Sequence, residues 1–340
     1  MSYEGDLMVE QHSFQPPWWL RNKHIQSIYA SVIKPRSTVD LNWEEVTLTD
    51  GDFVDIAWAG PAPTHAPILI LLHGLEGSAY SHYIQEMLDL FVQYDWRIAV
   101  MHMRSCSGRL NRMPEFYNAE KTDDLKEVIE HITQRFPQSP IFAMGFSLGG
   151  NILMHYLAKH NKSPLHAGIA VSMPFELAKS ADYLVPFYQH VLLRSLKRKI
   201  EAKIDLGMEM PIDIKSLKLI SSLRRFDSMI TTPMYGFASV DEYYQLASSR
   251  NLLKQIKHPA LILHAMDDPF VPPNSVPEAH ELSSSISLEI SQHGGHMGFI
   301  KGGLPWKPSY WFAQRIKAFF DKHVASRESA VSTAHRKVDT

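Results

Sequence analysis

Five short apolar runs, each separated from the next by a stretch long enough for a helix, leave this chain few folds to choose from. They are Ile68–Leu72, Arg97–His102, Ile141–Phe146, Ala167–Ser172 and Ala260–Ala265. A strand with one wet face alternates apolar and polar residues. These runs do not alternate, so both of their faces must be covered. Helices lying between such strands cover both faces of a mostly parallel central sheet, which is an α/β architecture. The chain has 340 residues, 45% of them hydrophobic and 21% charged. That is enough for one large domain, or for a core carrying a sizeable insertion.

Ahead of the apolar runs, Trp43–Leu48 and Phe53–Trp58 read as two strands of a hairpin, with Asp50-Gly51-Asp52 supplying the turn. Behind them come a weaker strand, Leu288–Ser291, and an amphipathic helix, Tyr310–Lys322. Residues 1–40 are expected to pack on the core as an N-terminal segment. The core is expected to comprise 41–174 and 260–325, and the polar stretch 326–340 is expected as a disordered tail. The connection Phe175–Pro259 is anomalous. It holds 85 residues, where a plain crossover needs about 20 to 30. Helical candidates Val185–Ile200 and Val240–Leu253 lie inside it, so 175–259 is read as a helical cap or lid over the carboxyl edge of the sheet. The competing reading makes these helices an extension of the sheet's flank.

Gly145-Phe146-Ser147-Leu148-Gly149-Gly150 follows an apolar strand and precedes the helical run Asn151–Lys159. A serine on a sharp strand-to-helix turn stands clear of the sheet, and flanking glycines leave room for the turn. The helix N-terminus below it favours developing negative charge. A serine hydroxyl is a poor nucleophile without a base. In this arrangement the chain order is serine, acid, histidine. Ala265-Met266-Asp267-Asp268-Pro269 ends a strand where the acid belongs, and His293-Gly294-Gly295-His296 follows the last strand where the base belongs. His296 is preferred because two glycines before it allow a tight loop; His293 would then support that loop. Asp268 is preferred because it precedes Pro269 at the end of the turn, leaving Asp267 to stabilise the turn. Catalysis by Ser147, His296 and Asp268 also needs two backbone donors for an oxyanion. Leu148 N–H is one, and Leu75 N–H, in His73-Gly74-Leu75-Glu76-Gly77, is the other. His73 is read as a brace for that loop.

Other features have plainer readings. Cys106 is the only cysteine, which excludes an intrachain disulfide, and it reads as a small loop residue. His264, Asp267, His293 and His296 could be drawn as a metal cluster, but their spacing fits the serine chemistry better, so no metal is expected. Leu192–Lys199 reads as the solvated face of a lid helix, with transient contact to a membrane surface as the alternative. A net charge of −2 gives no basic field to attract nucleic acid. Met1–Gln15 lacks the basic start and apolar run of a signal peptide, and no run reaches the roughly 20 apolar residues of a membrane span. The cytoplasm is the expected location, and a monomer or weak homo-oligomer the expected state.

Taken together, these segments resemble the YheT-like branch of the α/β-hydrolases, the AB-hydrolase-4 family, over Pro17–Lys322. Besides the elbow, the resemblance rests on Arg21-Asn22-Lys23-His24-Ile25-Gln26, Asp50–Asp55, His73–Ser78, Met101–Gly108, His264–Phe270 and His293–Phe299. Ser105 departs from the pattern, which has glycine there. The resemblance implies an α/β-hydrolase fold with a lid, and carboxylesterase activity on short- or medium-chain esters. Related members act on acylglycerols, phospholipids or medium-chain ethyl esters. The expected reaction is hydrolysis of a small acyl ester through an acyl-enzyme, with no metal or organic cofactor. The alternatives are acyl transfer or acylglycerol lipolysis on the same three residues and, from another class, a non-catalytic ligand-binding protein.

Overall fold

Nine strands form one sheet in the computed structural model, which describes residues 9–11, 14–34, 36–61, 65–302 and 309–338. The strands are β1 (Val9–Gln11), β2 (Asn42–Thr47), β3 (Phe53–Ala59), β4 (Ile68–Leu72), β5 (Arg97–Met101), β6 (Ile141–Phe146), β7 (Leu165–Val171), β8 (Ala260–Ala265) and β9 (Ile286–Ser291). Their order across the sheet is β1-β9-β8-β7-β6-β4-β5-β3-β2. Pairing is parallel from β1 through β5, and only the β2–β3 hairpin and its junction with β5 are antiparallel. This is the expected mostly parallel sheet. Every residue of β4, β5, β6 and β8 is buried, which explains why those runs lack alternation.

Helices α1 (Lys23–Ile33), α2 (His82–Val92), α3 (Asp123–Arg135) and α4 (Leu148–Lys159) belong to the body around the sheet. Successive residues of a strand point to opposite faces. Ile68, Ile70 and Leu72 therefore join the apolar layer of α3 and α4, and Leu69 and Leu71 join the other layer with Met87 and Leu88 of α2. The last helix, α11 in chain order (Trp311–Val338), adds Phe312, Ile316 and Phe320 to that second layer.

The insertion holds α5 (Leu177–Tyr183), α6 (Pro186–Asp205), α7 (Ile214–Lys218), α8 (Leu223–Phe226), α9 (Thr232–Tyr235) and α10 (Val240–Ala247). A π-helical turn, Asp227–Thr231, separates α8 from α9. The expected stretch 175–259 divides in two. Leu193, Leu196, Ile200, Leu217, Phe226 and Ile230 make a separate apolar cluster, joined by Phe116 from the loop after β5. Tyr243, Tyr244, Ala247, Leu253 and Ile256 instead pack into the α3–α4 layer. His155 Nε2 and Asn151 Nδ2, both on α4, reach the Ala247 carbonyl at 2.9 Å.

Two expectations need correction. Residues 326–338, expected as a disordered tail, have helical backbone. The chain contains neither Gly nor Pro after Pro308, so nothing in it stops the amphipathic helix. The N-terminal stretch, expected to pack on the core, contributes β1 to the sheet edge beside β9. Residues 1–8, 12, 13 and 35 of the expected N-terminal segment lie outside the described residues, as do 339 and 340. Finally, Leu192–Lys199 is a solvated face only at Arg194 and Arg198. Leu193 and Leu196 are core residues of the insertion, and Lys197 Nζ donates to the carbonyls of Lys218 and Ile220.

Ser105, the departure from the glycine pattern, has φ +64°, in the region where glycine is cheapest. Its hydroxyl bonds Asn111 Oδ1 and accepts from Asn111 N–H at 3.2 Å, a local compensation for the strain. The same loop is anchored by buried Arg104. Its guanidinium grips Asp124 at 2.8 and 2.7 Å, Asp52 at 3.1 Å and Asp50 at 2.7 Å. The two aspartates of the hairpin turn thus hold the loop after β5 as well as turning the chain.

Candidate active site

β6 ends at Phe146 and α4 begins at Leu148, so Ser147 alone makes the turn, with φ 49° and ψ −119°. Such a conformation costs an L-residue about 1–3 kcal/mol and persists only where the surroundings enforce it. Tight packing enforces it here. A Cβ on Gly149 would lie 2.5 Å from the His73 carbonyl oxygen, and one on Gly145 would fall onto the Gly149 carbonyl. The geometry lifts Ser147 Oγ to 3.0 Å from His296 Nε2.

His296 stands on the loop after β9, and its Nδ1 lies 2.8 Å from Asp268 Oδ2 and 3.1 Å from Oδ1. With Nδ1–H donating to the carboxylate, Nε2 is the free lone pair facing the serine hydroxyl. Asp268 is fully buried at the end of β8, where Phe270 N–H donates to its Oδ1 at 2.7 Å. The Phe270 ring lies flat on the His296 ring, with centroids 4.0 Å apart and 9° between planes. Two serines hold the loop backbone: Ser27 Oγ accepts from His296 N–H at 2.8 Å and Ser172 Oγ from Met297 N–H at 3.1 Å.

Asp267 and His293 sit next to this chain of bonds and serve it from outside. Asp267 Oδ1 accepts from Gly295 N–H at 2.9 Å, and Oδ2 meets His293 Nδ1 at 3.3 Å. His264 is buried against Phe175 and held neutral, its pKa pulled down to about 4 by burial. Among the described residues no three metal-ligating side chains gather in one place.

The loop after β4 runs beside the serine; a Cβ on Gly74 would come within 3.2 Å of Ser147 Cβ. Gly74 N–H donates to Tyr83 Oη and Glu76 N–H to Tyr117 Oη, each at 3.0 Å. The N–H groups of Leu75 and Leu148 have no acceptor among the described residues. Both remain available for a ligand oxygen. His73 braces the loop from below: its Nδ1 donates to the Gly74 carbonyl at 2.7 Å, and its Nε2 accepts from Met103 N–H at 3.1 Å. Burial first, then the nearby His102, pull its pKa down to about 3, so it stays neutral.

A cavity of about 340 Å³ opens above Ser147 and His296. Leu177, Leu184, Leu192, Leu196, Leu223 and Phe226 of the insertion form much of its wall. The arrangement places a hydroxyl within hydrogen-bond reach of an imidazole, beside two unused amides and an apolar chamber, a set of groups suited to acyl transfer. Sequence reasoning missed Ser27, which lies 269 residues from His296 and carries no motif of its own. It also missed the braces Tyr83 and Tyr117.

Residues 67–303 match the model of the alpha/beta hydrolase fold family. The chain is a member of the α/β-hydrolase family. Among its relatives this α/β-hydrolase is 34% identical over 322 residues to the candidate esterase YheT of Escherichia coli (strain K12), covering 92% of this chain and 94% of that one. The YheT-like resemblance read from the motifs therefore stands. The monoacylglycerol lipase of Saccharomyces cerevisiae is 33% identical over 266 residues, covering 74% of this α/β-hydrolase and 58% of the lipase. Among solved structures, the Pyrococcus furiosus esterase Pf2001 superposes with a TM-score of 0.55 at 15% identity, covering 85% of this chain and 98% of that one. That likeness concerns the fold.

Proposed function

We propose that the protein is a serine carboxylesterase that cleaves small, uncharged acyl esters of short to medium chain length through an acyl-enzyme. The observation that carries this reading is the run of contacts from Ser147 Oγ to His296 Nε2 at 3.0 Å and from His296 Nδ1 to Asp268 at 2.8 Å, at the floor of an apolar cavity. Ser147 Oγ attacks the ester carbonyl carbon while His296 Nε2 takes its proton. Asp268 keeps the imidazole in the required tautomer and stabilises its charged form. The amides of Leu75 and Leu148 receive the oxyanion. His296 then gives its proton to the departing alkoxide. Water, deprotonated by the same nitrogen, attacks the acyl carbon; as the bond to Ser147 Oγ breaks, His296 returns that proton to the serine and the carboxylic acid leaves. No step calls on a metal or organic cofactor.

Relatives named esterase and lipase support an ester bond as the target. The leucine-rich wall of the insertion supports an apolar acyl group. The test is hydrolysis of p-nitrophenyl butyrate by the purified protein and its Ser147→Ala variant, with products analysed in the presence of ethanol. Butyrate as the main product supports hydrolysis. Ethyl butyrate in excess would make the protein an acyltransferase, and no turnover of any ester or acylglycerol would make it a binding protein.

A further inference from the structure

Glu76, next to the proposed oxyanion donor Leu75, is a carboxylate placed where an apolar pocket has no use for one. Its side chain is only 5% exposed. Its backbone has φ 58°, a left-handed conformation that a non-glycine residue holds only under constraint. Tyr117 Oη donates to its Oε1 at 2.7 Å and accepts from its own backbone N–H at 3.0 Å. The remaining partners come from the insertion. Lys199 Nζ donates to Oε1 at 2.8 Å, and Ser195 Oγ donates to Oε2. Ser195 and Lys199 are one turn apart on α6, so the helix grips the carboxylate with two successive turns.

Lys199 also lies over the Tyr117 ring, 5.9 Å from its centroid. Its ammonium also donates to Cys106 Sγ at 3.1 Å, and that thiol is pushed up to about 12 by burial, so it accepts as a neutral group. Burial works against the charge on Lys199, yet Cys106 and Glu76 together hold its pKa above the ordinary value. A buried charge that loses its partner is costly, which makes the pairing obligatory once α6 is docked. Leu75 itself packs against both the main core and the insertion's cluster. The peptide between Leu75 and Glu76 carries the Glu76 N–H, held by Tyr117 Oη, and a shift of Glu76 reaches the Leu75 N–H, one peptide earlier, through the Leu75 Cα; that N–H must point at the oxyanion within a few tenths of an ångström to be effective.

We propose that Lys199, assisted by Ser195, is a positioning residue for the reaction: from the insertion it fixes the Glu76 carboxylate and so keeps the Leu75 amide aimed at the oxyanion. Docking of α6 and completion of the oxyanion hole are then one event. The inference rests on the esterase reading above, in which Leu75 N–H is an oxyanion donor.

The experiment measures kcat and KM on p-nitrophenyl butyrate for the wild type, Lys199→Met, Lys199→Arg and Ser195→Ala, with thermal melts on the same preparations. Deleting an oxyanion donor costs about 10²–10³ in rate, and misaiming one costs part of that. Lys199→Met should lower kcat about 10- to 50-fold with KM within two-fold, and Lys199→Arg should stay within about three-fold of wild type. Ser195→Ala, which leaves no charge unpaired, should fold normally and lose about three- to five-fold in kcat. It carries the test if Lys199→Met does not fold. Folded Lys199→Met and Ser195→Ala variants with kcat within two-fold of wild type, a loss confined to KM, or an arginine variant as impaired as the methionine one would each overturn the proposal. Wild-type protein that turns over no ester would instead remove the esterase reading on which it stands.

Discussion

Asp268 and Asp267 are adjacent in the chain yet hold different parts of the histidine loop. Asp268 Oδ2 lies 2.8 Å from His296 Nδ1, whereas Asp267 Oδ1 accepts from the Gly295 amide at 2.9 Å. Asp268→Asn should lower kcat by about 10⁴, because an amide favours the wrong imidazole tautomer. Asp267→Asn should cost less than about ten-fold, and most of its effect should appear as a lower Tm. Steady-state kinetics on the two variants, with melts, separate them; equal losses in kcat would place the orienting acid elsewhere.

Ser27 links the N-terminal segment to the loop that carries His296. Its Oγ donates to the Lys23 carbonyl at 2.7 Å and accepts from His296 N–H at 2.8 Å. Ser27→Ala leaves a buried amide without its acceptor, which should cost about 1–3 kcal/mol of stability in urea unfolding. The same loss should reduce kcat several-fold, as the loop carrying His296 relaxes.

Chain-length selectivity follows from the cavity. Each methylene removed from water contributes roughly 0.8 kcal/mol, only part of which a real pocket captures. Lengthening the acyl chain by two carbons should raise kcat/KM several-fold until the 340 Å³ chamber is full. Longer chains should then lose activity sharply, since overpacking is also costly. A p-nitrophenyl ester series from acetate to palmitate should peak at short to medium length. A flat profile would contradict an acyl pocket of limited volume.

Acid should destabilise the fold before it protonates ordinary carboxylates. His73 is held down to about 3 and His82, His102, His155 and His264 to about 4, in each case chiefly by burial. These groups stay neutral in the folded state but charge near pH 6.5 when unfolded. Their stabilisation is present above 6.5 and is lost as pH falls toward 4. Each histidine that takes up a proton only on unfolding adds about 1.4 kcal/mol per pH unit to the slope. Asp227, raised to about 6 by burial, works in the opposite sense over part of that range but is a single group. Urea unfolding free energies measured from pH 8 to pH 4 should be flat at the top and fall steeply below about 6.5.

Much of this architecture was legible because its causes are local. Ile68–Leu72, Ile141–Phe146 and Ala260–Ala265 occur as strands with the bounds expected from their apolar content. The turn around Ser147 was readable from the glycines that clear its path, and Asp268, preferred through Pro269, is the acid that lies against His296 Nδ1. What stayed hidden depends on contacts between distant segments. Lys199 looks like one charge in a basic surface stretch, and only folding turns it inward to Glu76, 123 positions away. Ser27 is an unremarkable helix residue until the loop after β9 lies against it. The helical backbone of 326–338 was obscured by polar composition, which marks solvent exposure as readily as disorder.

The claim that Ser147 is the nucleophile is tested most directly by covalent labelling with a fluorophosphonate, followed by intact mass and peptide mapping. The wild type should gain one phosphonyl group on the peptide containing Ser147, and Ser147→Ala, still folded, should gain none. Labelling of that variant at another serine, or an unlabelled wild type that still hydrolyses esters, would contradict the account.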